Sequence, residues 1–261
     1  MASAAPAPTG RPWAILQHVA HEGPGSIEGA LAAAGFATTI VRLDLGEALP
    51  AADRLGGLVV MGGPMGVHDD DDYAWLAPER QLIGAVVALD RPVLGVCLGS
   101  QQLAAALGAQ VTTGPVEEVG PGQVELTPAG RTDPVFGPEY HGLSGTSVPC
   151  VHWHRDTFAL PVGSTHLAAT RTYPHQAFRM GRRVYGLQFH VELDAGLAAL
   201  WRPLLPDGVT LPASDVARVE STGRRLLQRF VDVATSDVAT GDKATSDVAT
   251  GDKATSERAT S

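Results

Sequence analysis

From Trp13 onward the chain alternates short apolar runs with longer stretches of helical period. WAILQHV is followed by the helix-like SIEGALAAAG, then by TTIVRL, by GGLVVMGG, and by a helical segment from Tyr73 to Leu89. Such alternation predicts parallel strands covered by helices. RPVLGV reads as a further, fully apolar strand, and Ser100 to Leu107 (SQQLAAAL) as the helix immediately after it. Shorter strands are expected at VELT, VPCVHW, HLAAT and VYGLQFH. A last amphipathic helix, starting near a cap at Ser214, places Val216, Val219, Leu226, Leu227 and Phe230 on one face. The pattern predicts a flexible arm over residues 1–11, one domain over 12–233 and a tail over 234–261. In that tail ATSDVATGDK, residues 234–243, recurs at 244–253. Without large apolar side chains it cannot offset its own ordering entropy, so a disordered segment is expected.

Bulk properties narrow the function. A length of 261 residues suits one large α/β domain or two small ones. Two cysteines in unlike contexts predict a reducing compartment, hence a cytoplasmic protein. A net charge of -9 argues against a nucleic-acid partner, which would need clustered Lys and Arg. Neither the Ala/Pro-rich start nor any later apolar run resembles a signal peptide or a membrane span. Small-molecule chemistry fits best.

The strongest local signal is Gly95-Val96-Cys97-Leu98-Gly99, a nucleophile flanked by glycines between an apolar strand and a helix. This is the thiol version of a nucleophile elbow, and the following helix start favours the thiolate. An isolated cysteine would read as a small buried hydrophobe; the glycine pair and the strand-helix context reverse that. Gln101, four residues on, falls on the same side of the helix as Cys97, whereas Gln102 is rotated away and reads as solvated. In LQFHVE, alternation on an extended strand puts His190 and Glu192 on one face and Phe189 and Val191 in the core. A carboxylate can then orient an imidazole, which keeps the thiol deprotonated and protonates a departing amine. Gly62-Gly63-Pro64 ends the LVVM strand, so the N–H groups of Gly63 and Leu98 form a candidate oxyanion hole.

These residues resemble the class I glutamine amidotransferases, especially free-standing relatives of the glutaminase domain of GMP synthetase. The matching pieces are LVVMGGPMGVHD, RPVLGVCLGSQQLAAALGA, HWHRDTFALP and PHQAFRMGRRVYGLQFHVE, in the family's order. The resemblance implies a flavodoxin-like, doubly wound, mostly parallel sheet with helices on both faces. It further implies a triad of Cys97, His190 and Glu192, a γ-glutamyl thioester, and oxyanion donors at Gly63 and Leu98. Gln101 would contact bound glutamine, and Trp153, Arg155 and Asp156 would belong to the substrate pocket. Two departures stand out: Val191 where relatives serving large synthetases carry Pro, and Arg155 where they carry Gly. Arg155 adds volume and charge beside the pocket.

The expected activity is hydrolysis of the glutamine γ-amide, with no cofactor. Ammonia so released would need a separate synthetase as acceptor, because none accompanies this sequence. A γ-glutamyl peptide or amine hydrolase using the same triad is the close alternative; a non-catalytic binding module on this fold is the distant one. No metal site is expected. Asp69 to Asp72 read as acids at a helix start, His152 and His154 show no partner carboxylate in sequence, and Cys150 reads as structural.

Overall fold

The apolar runs become the parallel part of one sheet. The computed structural model describes residues 10–137 and 146–236. Strands β1 (Trp13–Gln17), β2 (Thr38–Arg42), β3 (Gly57–Val60), β4 (Val93–Val96) and β9 (Val184–Leu187) lie parallel in the order β2-β1-β3-β4-β9. Strands β5 (Val111–Leu126), β6 (Ser147–Phe158), β7 (Thr165–Ala169) and β8 (Ala177–Met180) extend the sheet beyond β9 as an antiparallel wing, in the order β8-β7-β5-β6.

Alternation along the strands feeds both faces. Trp13 and Ile15 of β1 point to one side, where Ile27 and Leu31 of α1 (Ser26–Ala33) and Leu226 and Phe230 of α5 (Ala213–Thr235) pack on them. Ala14 and Leu16 point to the other, against Leu76, Ile83 and Val86 of α2 (Leu76–Ala88) and Leu103 of α3 (Leu98–Ala106). A short helix, α4 (Ala195–Trp201), caps the site end of the molecule, its N-cap Asp194 accepting from the Leu197 N–H at 2.8 Å. The sheet is mixed and mostly parallel where it carries the site, with helices on both faces, as expected.

Several details differ from expectation. The VELT run is only the end of β5, which pairs with β6 through an irregular register between Thr113 and Glu118. That break hides the strand from a period-two reading. Ser214 lies inside the first turn of α5, whose N-cap is Pro212, and makes no capping bond. Asp69 to Asp72 precede α2 rather than starting it: Asp69 accepts from the Gly66 N–H, and both Asp70 oxygens accept from Arg80 at 2.7 Å. Gln102 is fully buried, its Oε1 accepting from Arg80 at 3.0 Å, so it is rotated away from Cys97 but not solvated. Residues 1–9 of the expected arm and 237–261 of the expected tail lie outside the described residues. No helix among the described residues is long and apolar enough to cross a membrane.

Candidate active site

The carboxyl ends of the parallel strands converge on one cleft. β1 delivers His18, β3 delivers Gly62 and Gly63, β4 delivers Cys97, and the chain leaving β9 delivers His190 and Glu192. Cys97 is the N-cap of α3, with φ 52° and ψ -113°, a strained conformation for an L-residue. The glycines around it are needed for close approach: a Cβ on Gly95 would overlap the Gly99 carbonyl, and one on Gly99 would overlap the Val60 carbonyl. The elbow is therefore drawn tightly against β3. Its thiol donates to the Trp153 carbonyl at 3.5 Å.

His190 and Glu192 are each 1% exposed, with Nδ1 and Oε1 2.7 Å apart. They do not lie within β9; a two-residue bridge to Val151 of β6 holds His190 extended, and Phe189 and Val191 are buried as the alternation predicted. Burial alone would lower the imidazole pKa, but Glu192 and hydrogen bonding with Cys97 outweigh it and hold His190 well above its ordinary value. Trp201 of α4 meets the His190 ring edge to face at 4.7 Å and Trp153 at 5.4 Å, fixing both.

Gly63, Cys97, Gln101, Glu117, Trp153, Arg155 and Asp156 line a cleft of about 320 Å³. Gly63 and Leu98 flank the elbow, and among the described residues neither N–H has a hydrogen-bond partner. Gln101 donates to the Gln188 side chain at 3.2 Å and to the Asp156 carbonyl at 3.3 Å, tying α3 to β6. The exposed Arg155 guanidinium donates to the Gly114 carbonyl at 3.2 Å on the rim. Of the candidate residues from the sequence, Gly63, Cys97, Gln101, Trp153, Arg155 and Asp156 line the cleft, whereas Leu98, His190 and Glu192 are not among its lining residues.

Other groups became visible only in three dimensions. His18 is fully buried between the Gly62 carbonyl, 2.9 Å from Nδ1, and Glu79, 2.8 Å from Nε2. A polar residue ending an apolar strand, and one acid on the apolar stripe Leu76, Leu82, Ile83 and Val86, were the available signals. Half-buried Glu22 packs over Gly62; burial pushes its carboxyl up, against the pull of His190.

Glu118 supplies the carboxylate that His152 and His154 lacked in sequence. Its Oε2 lies 3.3 Å from His154 Nε2 and 3.6 Å from His152 Nδ1, a grouping compact enough for a metal ion. Both carboxylate oxygens also accept hydrogen bonds, from Thr170 at 2.8 Å and Gln176 at 2.7 Å, whereas the buried His152 Nδ1 has no hydrogen-bond partner among the described residues. Burial would raise the Glu118 carboxyl, but His154, Thr170 and His152 hold it below its ordinary value. Cys150 is fully buried against His152, and desolvation pushes its thiol well up, as suits a structural residue.

A cysteine elbow at the carboxyl edge of a doubly wound sheet, facing a buried His–Glu pair, defines a cysteine-centred α/β protein. The family model for glutamine amidotransferase class-I matches residues 25–199, and the chain belongs to that family. It is 36% identical over 162 residues to the glutamine amidotransferase-like protein YfeJ of Salmonella typhimurium, covering 60% of this chain and 66% of that one. It is 35% identical over 152 residues to a glutamine-hydrolysing GMP synthase of Aeropyrum pernix, covering 57% of this chain but only 26% of the synthase. The fold matches a glutamine amidotransferase from Thermotoga maritima with a TM-score of 0.74 and 27% identity, over 86% of this chain and 97% of that one. A glutamine amidotransferase from Methylobacillus flagellatus matches with a TM-score of 0.74 and 28% identity, over 85% and 93%.

Proposed function

We propose that the protein hydrolyses the γ-amide of glutamine to glutamate and ammonia through a cysteinyl thioester. The observation that carries this reading is the buried pair of His190 and Glu192, 2.7 Å apart, in electrostatic reach of Cys97, which lines the cleft. Cys97 adds as thiolate to the amide carbon, and the oxyanion is received by the N–H groups of Gly63 and Leu98. Each such donor typically contributes about 3 kcal/mol to the barrier. His190, charged through its pairing with Glu192, gives its proton to the departing nitrogen, and ammonia leaves. The neutral imidazole then takes a proton from water, which attacks the thioester and frees Cys97 and glutamate. Gln101, Trp153, Arg155 and Asp156 form the walls that hold the amino-acid end. Its family membership and its likeness to glutamine-hydrolysing relatives support this reading, with a separate synthetase as the ammonia acceptor.

The test uses purified protein with glutamine, γ-glutamyl dipeptides and γ-glutamyl amines, glutamate release being measured. Turnover of glutamine, lost in Cys97→Ala, is expected. A glutamine-derived diazo-ketone should label Cys97 and spare Cys150, with glutamine slowing the reaction. Labelling of Cys150, or undiminished release by Cys97→Ala, overturns the covalent mechanism. Turnover of γ-glutamyl amines alone assigns the same chemistry to another substrate.

A further inference from the structure

The oxyanion-hole assignment of Gly63 raises a physical problem that the structure answers. Gly62 and Gly63 are consecutive glycines, the residues with the most backbone freedom, so nothing intrinsic fixes the plane of the peptide between them. A Cβ at Gly62 would meet the end of the Glu22 side chain, which would have to turn aside. A donor held in a mobile peptide must be reoriented during the reaction, which forfeits the advantage of a preformed site.

In a trans peptide the carbonyl oxygen and the following N–H point in opposite directions. The structure contains no cis peptides among its described residues, so fixing the Gly62 oxygen fixes the Gly63 N–H. The Gly62 oxygen lies 2.9 Å from His18 Nδ1. A carbonyl can only accept, so Nδ1 carries a proton. On the opposite edge of the ring, Nε2 lies 2.8 Å from Glu79 Oε1, and both side chains are fully buried. The second Glu79 oxygen has no hydrogen-bond partner among the described residues, so His18 is the group that answers this carboxylate.

We infer that His18 and Glu79 are a positioning pair for the Gly62–Gly63 peptide, gripping its carbonyl from behind so that the Gly63 N–H stays aimed at the oxyanion. Burial alone would make His18 less basic, but Glu79 beside it more than compensates, so the ring's pKa stays above its ordinary value. The ring N–H donated to the Gly62 oxygen polarises the peptide and makes the Gly63 N–H a stronger donor. α2 brings the acid, β1 the imidazole and β3 the peptide; the two side chains are 61 residues apart and touch neither the thiol nor the cleft. The inference rests on the proposed role of Gly63 as an oxyanion donor.

The test compares His18→Asn, His18→Leu and Glu79→Gln with the unaltered protein. Asparagine can place an amide N–H near the Nδ1 position; leucine fills the space without a donor; glutamine keeps the contact to His18 but removes the charge. Glutaminase kcat should fall about tenfold to a hundredfold in His18→Leu, within the cost of losing one oxyanion donor, and less in the other two. KM should change little, since the donor acts on the transition state. Alkylation of Cys97 by iodoacetamide, which develops no oxyanion, should proceed at the unaltered rate in all three. Unchanged kcat in His18→Leu, equal losses in His18→Leu and His18→Asn, or iodoacetamide rates that fall in step with kcat would each overturn the pair's role. If His18→Leu does not fold, Glu79→Gln with an unchanged kcat overturns it as well. Glutamate release by Cys97→Ala would instead show that the reading of the site itself is wrong.

Discussion

Cys97 and its partners were readable as residues because their geometry is local. Glycines around a cysteine and a His-x-Glu on one strand face need only the immediate chain to state their relation, and the structure keeps both arrangements. Glu118, His18 and Glu79 were not readable in the same way, since each acquires its partner through a long-range fold contact. His152 shows how such contacts reach into solution behaviour. Burial pushes its imidazole down to about 4. The folded ring is therefore neutral where the unfolded one, near its ordinary value, binds a proton. Stability from this group is present above about pH 6.5 and lost as pH falls toward 4, amounting to about 3 kcal/mol when the loss is complete. Urea unfolding at pH 7 and pH 4.5 should show His152→Gln losing less stability on acidification than the unaltered protein. Identical losses would mean that the folded ring is already charged.

At the level of elements, the long amphipathic α5 and the apolar parallel strands were legible because their periods run unbroken over many residues. β5 was not, because Gly114, Pro115 and the shifted register past Thr113 interrupt its alternation, and β8 is too short to show a period. α5 also contacts the active site through its backbone. Gly223 faces the Val191 carbonyl so closely that any Cβ would overlap it, and Val191 sits between His190 and Glu192. Gly223→Ala should therefore push α5 from the sheet or displace that segment. The expected outcome is a loss of about 1–3 kcal/mol, a usual cost of overpacking, together with a fall in kcat. Thermal melting and glutaminase kinetics on the same preparation check it; full activity with an unchanged melting temperature would contradict the packing described.

Over the whole molecule, the groups that perform the proposed chemistry come from the parallel strand ends, while Glu117, Trp153, Arg155 and Asp156 come from the antiparallel wing. Arg155 lies on the exposed rim and touches none of the reacting groups. Arg155→Gly is expected to alter KM and the ranking of γ-glutamyl compounds by severalfold while leaving kcat for the best substrate nearly unchanged. Steady-state kinetics over the substrate panel measures this, and a collapse of kcat with unaltered ranking would refute the division. For a lineage of such proteins, the division means that ancestry and appetite can be inherited separately. Drift in β5 and β6 can retune what is admitted while leaving the proposed nucleophile and its partners in place.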